Sequence, residues 1–255
     1  MSDSNNRIPL QRTGREQVLQ ALNDMAEGGQ IVHLILMKQG ETHPEITEKT
    51  ILLNVKIIEV TEEDMWRMRA FDKENPTVLA LIGREPDKKD LNSLMNSPGP
   101  IWMMCGVTYA SNLGLSIRTA EASGAAGVII TPVPSRRVQR SIGHFSMGSD
   151  RFLPIFWEAD AENVINEAKL SGRQILALET SGSTQLYNLD QISNALWLVG
   201  GDHDGIPLGL LEKTDEVVSL PFGGFVPSYN LQTAMAVVAI EILHRERSLT
   251  TEESL

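Results

Sequence analysis

The sequence predicts an α/β protein built as a small α/β unit followed by a larger one with a mostly parallel sheet, and three observations carry that prediction. Short apolar runs alternate with stretches of helical periodicity along the 255 residues. A charged segment at 85–99, closing on Asn96-Ser97-Pro98-Gly99-Pro100, interrupts the pattern and reads as a linker. Beyond it the apolar runs at 101–107, 127–131, 174–178 and 195–199 are near-continuous, as strands covered on both faces require.

Taken in order, residues 1–13 are polar and are expected to be disordered. The small unit is placed at 14–84. Its first helix, 16–25, carries Val18, Leu19, Leu22 and Met25 on one face; strands are expected at 31–37, within 51–60 and at 77–82, with helical character at 62–71. The larger unit is placed at 100–247. Besides the four runs above it holds helices at 112–123, 159–170 and 231–244 and short strands at 153–156 and 217–220, with 248–255 a frayed tail.

A hydrophobic fraction of 42% and a charged fraction of 22% suit a folded globular chain. No apolar run approaches the roughly 20 residues of a membrane span. The first residues lack the apolar core of an export signal, and the lone Cys105, read as a buried thiol, excludes an internal disulfide. A cytoplasmic location and no membrane partner are therefore expected. The net charge of −11 opposes generic binding to a phosphate backbone, yet residues 118–151 carry five arginines against Glu121 and Asp150. Arg136, Arg137 and Arg140 in that stretch are either a solvated face or a local grip on an anion.

Three segments carry candidate chemistry. In Asn112-Leu-Gly-Leu-Ser-Ile-Arg118-Thr-Ala-Glu-Ala-Ser-Gly124, Asn112 and Gly114 are expected where a strand turns into a helix, with Arg118 about one and a half turns in. In Gly200-Gly201-Asp202-His203-Asp204-Gly205-Ile206, glycines directly after a strand admit close backbone approach to a ligand. The dinucleotide spacing G-x-G-x-x-G is absent, and three adjacent loop residues make a poor ion cage, so no metal is expected. In Leu220-Pro-Phe-Gly-Gly-Phe-Val-Pro-Ser228-Tyr229-Asn230, a strand end and a glycine turn lead into an apolar helix, for which Ser228 reads as the N-cap.

Together these segments resemble, in order and separation, the signature motifs of the SpoU/TrmH branch of the SPOUT superfamily of RNA ribose methyltransferases. The family pattern runs Asn-x-Gly-x-x-x-Arg-Thr-Ala-x-x-x-Gly, then Gly-x-Glu-x-x-Gly, then Ile-Pro-Met-x-Gly-x-x-x-Ser-Leu-Asn. A weaker fourth match is Ser146-Met-Gly-Ser-Asp-Arg-Phe-Leu-Pro-Ile155. The resemblance covers roughly 100–246. The first unit is similar to the small ribosomal-protein-like RNA-binding domain that some family members carry, with 15–22 as its opening helix and 79–83 as its closing strand.

The resemblance implies an α/β trefoil knot, S-adenosylmethionine as cofactor, and an active site completed across a homodimer of the C-terminal domain. It assigns cofactor contacts to Gly200, Gly205, Ile206, Leu220 and Tyr229, mostly through backbone atoms. Arg118 is to bind the phosphate beside the target and help activate the hydroxyl, while Asn112, Ser228 and Asn230 orient the reacting groups. Asp202 falls where the family has glutamate. Tyr109-Ala110 replaces Asp-Pro, Tyr229 a leucine, and Gln232 a common serine. The expected reaction is methyl transfer to a ribose 2′-hydroxyl of structured RNA, ribosomal rather than transfer RNA, with Arg136, Arg137 and Arg140 gripping its backbone. A second reading, favoured by Asp202 and the acidic total charge, keeps the knot for binding RNA or a partner without turnover. A serine hydrolase using Ser228 is opposed by the lack of a Gly-x-Ser-x-Gly elbow.

Overall fold

A computed structural model describes residues 10–69, 75–82, 86, 90–201 and 204–252. The chain divides into two compact units, Met1–Pro86 and Asp87–Leu255.

The first unit runs β1 (Gln11–Thr13), α1 (Gly14–Ala26), β2 (Val32–Lys38), α2 (Pro44–Leu52), β3 (Lys56–Val60), α3 (Glu62–Met68) and β4 (Val78–Ile82). Its four strands lie in the order β1-β4-β2-β3, with β2 and β3 parallel and the other pairs antiparallel. Val18 and Leu22 of α1 pack on Ile35, Val78 and Ile82 of the sheet. One expectation is corrected by the structure. Gln11–Thr13, expected to be disordered, form an edge strand because their backbone pairs with Leu79–Leu81. The strand expected within 51–60 is β3; Ile51 and Leu52 ahead of it close α2, which Pro44 opens, and both are exposed, at 75% and 77%.

The second unit begins inside the expected linker. Leu91–Met95 forms α4, capped by Asp90, which accepts from Ser93 N–H, and Leu94 and Met95 are buried in the main core. Then follow β5 (Ile101–Cys105), α5 (Ala110–Ala122), β6 (Gly127–Thr131), α6 (Arg136–Ser146), β7 (Ile155–Trp157), α7 (Ala161–Leu170), β8 (Ile175–Leu178), β9 (Thr184–Gln185), β10 (Leu196–Gly200), α8 (Leu208–Leu211), β11 (Glu216–Ser219) and α9 (Leu231–Glu252). The closing helix thus runs through part of the expected tail. The seven strands are all parallel, in the order β7-β6-β5-β10-β8-β11-β9. Separate apolar clusters cover the two faces, which is why β5 and β6 are buried at every position. Trp102 and Trp197, paired in register on β5 and β10, stack with ring centroids 5.9 Å apart.

Gly114 sets the fit of α5 against α6: a Cβ there would lie 2.5 Å from Phe145 Cβ and 2.9 Å from the Ile142 carbonyl oxygen. Only glycine permits that backbone approach. At the opposite end of the sheet from the strand carboxyl termini, buried Arg173 donates to the carbonyls of Met95 (2.7 Å), Gly99 (2.9 Å), Asn194 (3.1 Å) and Ser97. One guanidinium thereby fastens the entry segment of the unit to the starts of β8 and β10. No helix among the described residues is long and apolar enough to cross a membrane.

Candidate active site

A cleft of about 520 Å³ opens at the carboxyl ends of β10, β8 and β11. Ligands of open parallel sheets settle at such strand ends, where the loops diverge. Leu178 and Glu179 leave β8, Val199 and Gly200 end β10, Leu220 follows β11, and the segment before α9 forms the facing wall.

The β10 turn is drawn tight by its glycines. A Cβ on Gly200 would meet the Gly205 carbonyl carbon at 2.2 Å, and one on Gly201 would meet the Gly106 carbonyl oxygen at 2.6 Å. Gly205 has φ +62° and donates its N–H to the Gly201 carbonyl. The next N–H, that of Ile206, donates to Glu179 Oε1 at 2.7 Å, so the β8 and β10 loops are tied by one carboxylate. Across the cleft, Tyr229 donates its hydroxyl to the Pro221 carbonyl at 2.9 Å and closes the intervening loop on itself.

Asn230 is the N-cap of α9: its Oδ1 accepts from Gln232 N–H at 3.0 Å and its carbonyl from Ala234 N–H at 3.0 Å. The cap expected at Ser228 is thus two residues early, and Ser228 instead lines the cleft. Asn230 Nδ2 also donates to Asn112 Oδ1 at 3.4 Å, and Gln232 Nε2 to Thr119 Oγ1 at 3.1 Å, so α5 and the start of α9 are stitched side by side. Asn112 and Gly114 lie within α5, which starts at Ala110, not at a strand-to-helix turn as expected. Arg118 is therefore deeper in the helix.

Of the residues singled out by sequence, Gly200, Gly205, Leu220, Ser228, Tyr229 and Asn230 line the cleft together. Ile206 does not: its side chain is buried in the core and its N–H is already taken by Glu179. Asn112 is joined to the cleft through Asn230, while Arg118 is exposed on α5 and outside the lining. Asp202 and His203 lie outside the described residues. Arg136, Arg137 and Arg140 are exposed on the first turns of α6, and none is in an ion pair among the described residues. No group of three or more His, Cys, Asp or Glu among the described residues is arranged to hold a metal ion. Glu179 was missed by sequence reasoning; its one signal is a carboxylate directly after an apolar strand.

Fold and site define a parallel α/β domain with a glycine-bounded cleft, sized for a nucleoside-type ligand, at its strand carboxyl ends. Residues 100–240, more than half of the chain, match the SpoU rRNA Methylase family, and the chain belongs to it. It is 27% identical over 165 residues to the 23S rRNA (guanosine-2′-O-)-methyltransferase RlmB of Neisseria meningitidis, a match spanning 65% of this chain and 66% of that relative. The fold is similar to that of the SpoU methyltransferase AviRb from Streptomyces viridochromogenes, with TM-score 0.58, 19% identity, and 94% of this chain and 90% of that one covered. It is likewise similar to an AdoMet-bound rRNA methyltransferase from Sinorhizobium meliloti, with TM-score 0.57, 22% identity and coverages of 92% and 87%.

Proposed function

We propose that this chain is an S-adenosylmethionine-dependent RNA methyltransferase that modifies a ribose 2′-hydroxyl, with rRNA as its substrate. The observation that carries the reading is the convergence on one cleft of Gly200, Gly205, Leu220, Ser228, Tyr229 and Asn230, with Asn230 bonded to Asn112 of the remaining motif. Family membership and the named activity of the Neisseria relative point the same way.

The cleft fits the cofactor. Leu178, Val199, Leu220 and Leu231 supply apolar wall for a purine, and Glu179 supplies a carboxylate for a cationic group. When bound, the cofactor supplies a methyl group on a positively charged sulfur. The residues around it must align a ribose hydroxyl with that methyl and stabilise the charge that develops on oxygen. In this reading Arg118 pairs with the phosphate beside the target, since a guanidinium matches phosphate geometry and holds its charge. The Asn112–Asn230 pair fixes α5 to the cleft wall, Ser228 offers a hydroxyl at the cleft surface, and Asp202 stands in for the family glutamate.

Arg118 lies outside the lining of its own chain's cleft, and the C-terminal unit exposes Phe225, at 102%, with Val237 and Ile240 on one face of α9. A second copy docked through this unit covers those apolar side chains and completes the site, so we assign a homodimer. Arg136 and Arg137, in the first turn of α6, oppose the helix dipole, at about 0.3–1 kcal/mol each, and Arg140 follows one turn on. A bound RNA phosphate offsets that cost, which supports Arg136, Arg137 and Arg140 as the RNA grip.

The test is a calorimetric titration with S-adenosylmethionine, followed by transfer of labelled methyl to rRNA and mapping of the product. One site per chain and a label on a ribose 2′-oxygen are expected. Binding without transfer to any rRNA would favour the non-catalytic reading instead.

A further inference from the structure

We infer that Glu179 is a specificity-determining residue of the cleft, whose carboxylate favours the cationic sulfonium form of the cofactor over the neutral thioether left after transfer. The inference rests on the cofactor assignment above. The Glu179 N–H donates to the Val218 carbonyl at 2.9 Å, and its own carbonyl accepts from Gly182 N–H at 3.2 Å, so its root is fixed on both sides. Oε1 accepts from Ile206 N–H at 2.7 Å. Oε2 has no hydrogen-bond partner among the described residues, and the residue lines the cleft.

The rest of the described lining consists of apolar groups, backbone, hydroxyls and one amide, with no lysine or arginine. With no cation in the described lining, a positively charged ligand group beside this half-buried carboxylate gains a charge-assisted contact that a neutral group does not. The field of the carboxylate is felt nearby: the Cys105 thiol at the end of β5 is pushed up to about 12, by burial first and by Glu179 second. Donor and spent cofactor share the adenosine, the ammonium and the carboxylate. They differ by the methyl and by one positive charge on sulfur, so the negative charge of Glu179 at the cleft wall separates the two and favours release of the product.

The experiment is calorimetric binding of S-adenosylmethionine, S-adenosylhomocysteine and sinefungin, which carries a protonated amine in place of the sulfonium, to the wild-type protein and to Glu179→Gln. Glutamine keeps a carbonyl oxygen for Ile206 N–H, and an unchanged unfolding midpoint confirms that the turn is intact. The expected result is a roughly tenfold loss of affinity for the two sulfur-site cations, with S-adenosylhomocysteine unchanged. Equal weakening of all three ligands would assign Glu179 to the shared ammonium or to the turn and overturn the inference. No change for any ligand would overturn it as well. Failure of the wild-type protein to bind any of the three would instead remove the cofactor reading itself.

Discussion

Asn230 donates through Nδ2 to Asn112 Oδ1 across 3.4 Å, joining two motifs 118 residues apart in the chain, while its own Oδ1 caps α9. The two ends of one amide therefore serve different purposes, and substitutions separate them. Asn230→Asp keeps the cap acceptor but faces an oxygen with an oxygen. It is expected to hold stability within about 0.5 kcal/mol while methyl transfer falls by about tenfold or more. Asn230→Ala loses both and costs about 1 kcal/mol in addition. Thermal unfolding beside a methyl-transfer assay reads the two effects; a stable, fully active Asp variant would remove the link from the mechanism.

Arg118 is exposed and outside the cleft lining, so its removal leaves the cofactor walls untouched. Arg118→Ala is expected to lower transfer by at least about 100-fold, as loss of a charge-stabilising donor does, with cofactor affinity little changed. Joint loss of both activities would contradict the role given to it. Arg118→Lys, lacking the fork geometry, should recover only part of the rate.

Neutralising Arg136, Arg137 and Arg140 to glutamine is expected to weaken RNA binding at every sequence. The slope of log affinity against log salt should flatten by about one for each phosphate that no longer meets a guanidinium. A slope equal to that of the wild type would place the RNA-binding surface elsewhere.

Arg173 is 5% exposed and serves four carbonyls. Burial brings its pKa down to about 10, still far above neutrality, so the group is charged throughout the physiological range. Arg173→Met leaves those carbonyls with no donor and is expected to cost about 3–5 kcal/mol, read as a lower urea midpoint. The loss should be constant from about pH 6 to pH 8, because the guanidinium does not titrate there.

Cys105 is held as a neutral thiol, its pKa raised from 9.0 to about 12 chiefly by burial. A raised thiol pKa stabilises the fold below the ordinary value, and that contribution fades as pH climbs from about 9 towards about 12. At about pH 8 the folded protein should be inert to a disulfide exchange reagent, with one thiol per chain appearing on unfolding. Rapid labelling of the native protein would contradict the burial.

The sheet of the second unit was legible because its strands are covered on both faces: 101–105, 128–130 and 196–199 are apolar runs with no polar alternation. Elements held by pairing or capping were not. β1 is Gln-Arg-Thr, a strand only because β4 supplies partners. α4 hides within a turn-rich segment, held by the Asp90 cap and two buried side chains. α6 is polar along most of its length, and its buried apolar side chains, Ile142 among them, are few. The site divides in the same way. The glycine and asparagine motifs were readable as a family signature, whereas Glu179 carries no motif and acquires meaning only where β8 ends beside the Gly205 turn.

The seven-stranded sheet ends on β7, three residues long, and on β9, only two. Edges that short present almost no free ladder of N–H and carbonyl groups to another chain. Strand addition to this sheet is thereby disfavoured. Copies of this domain are left to meet through helices and loops, so the surface that assembles is separate from the edges on which aggregates grow.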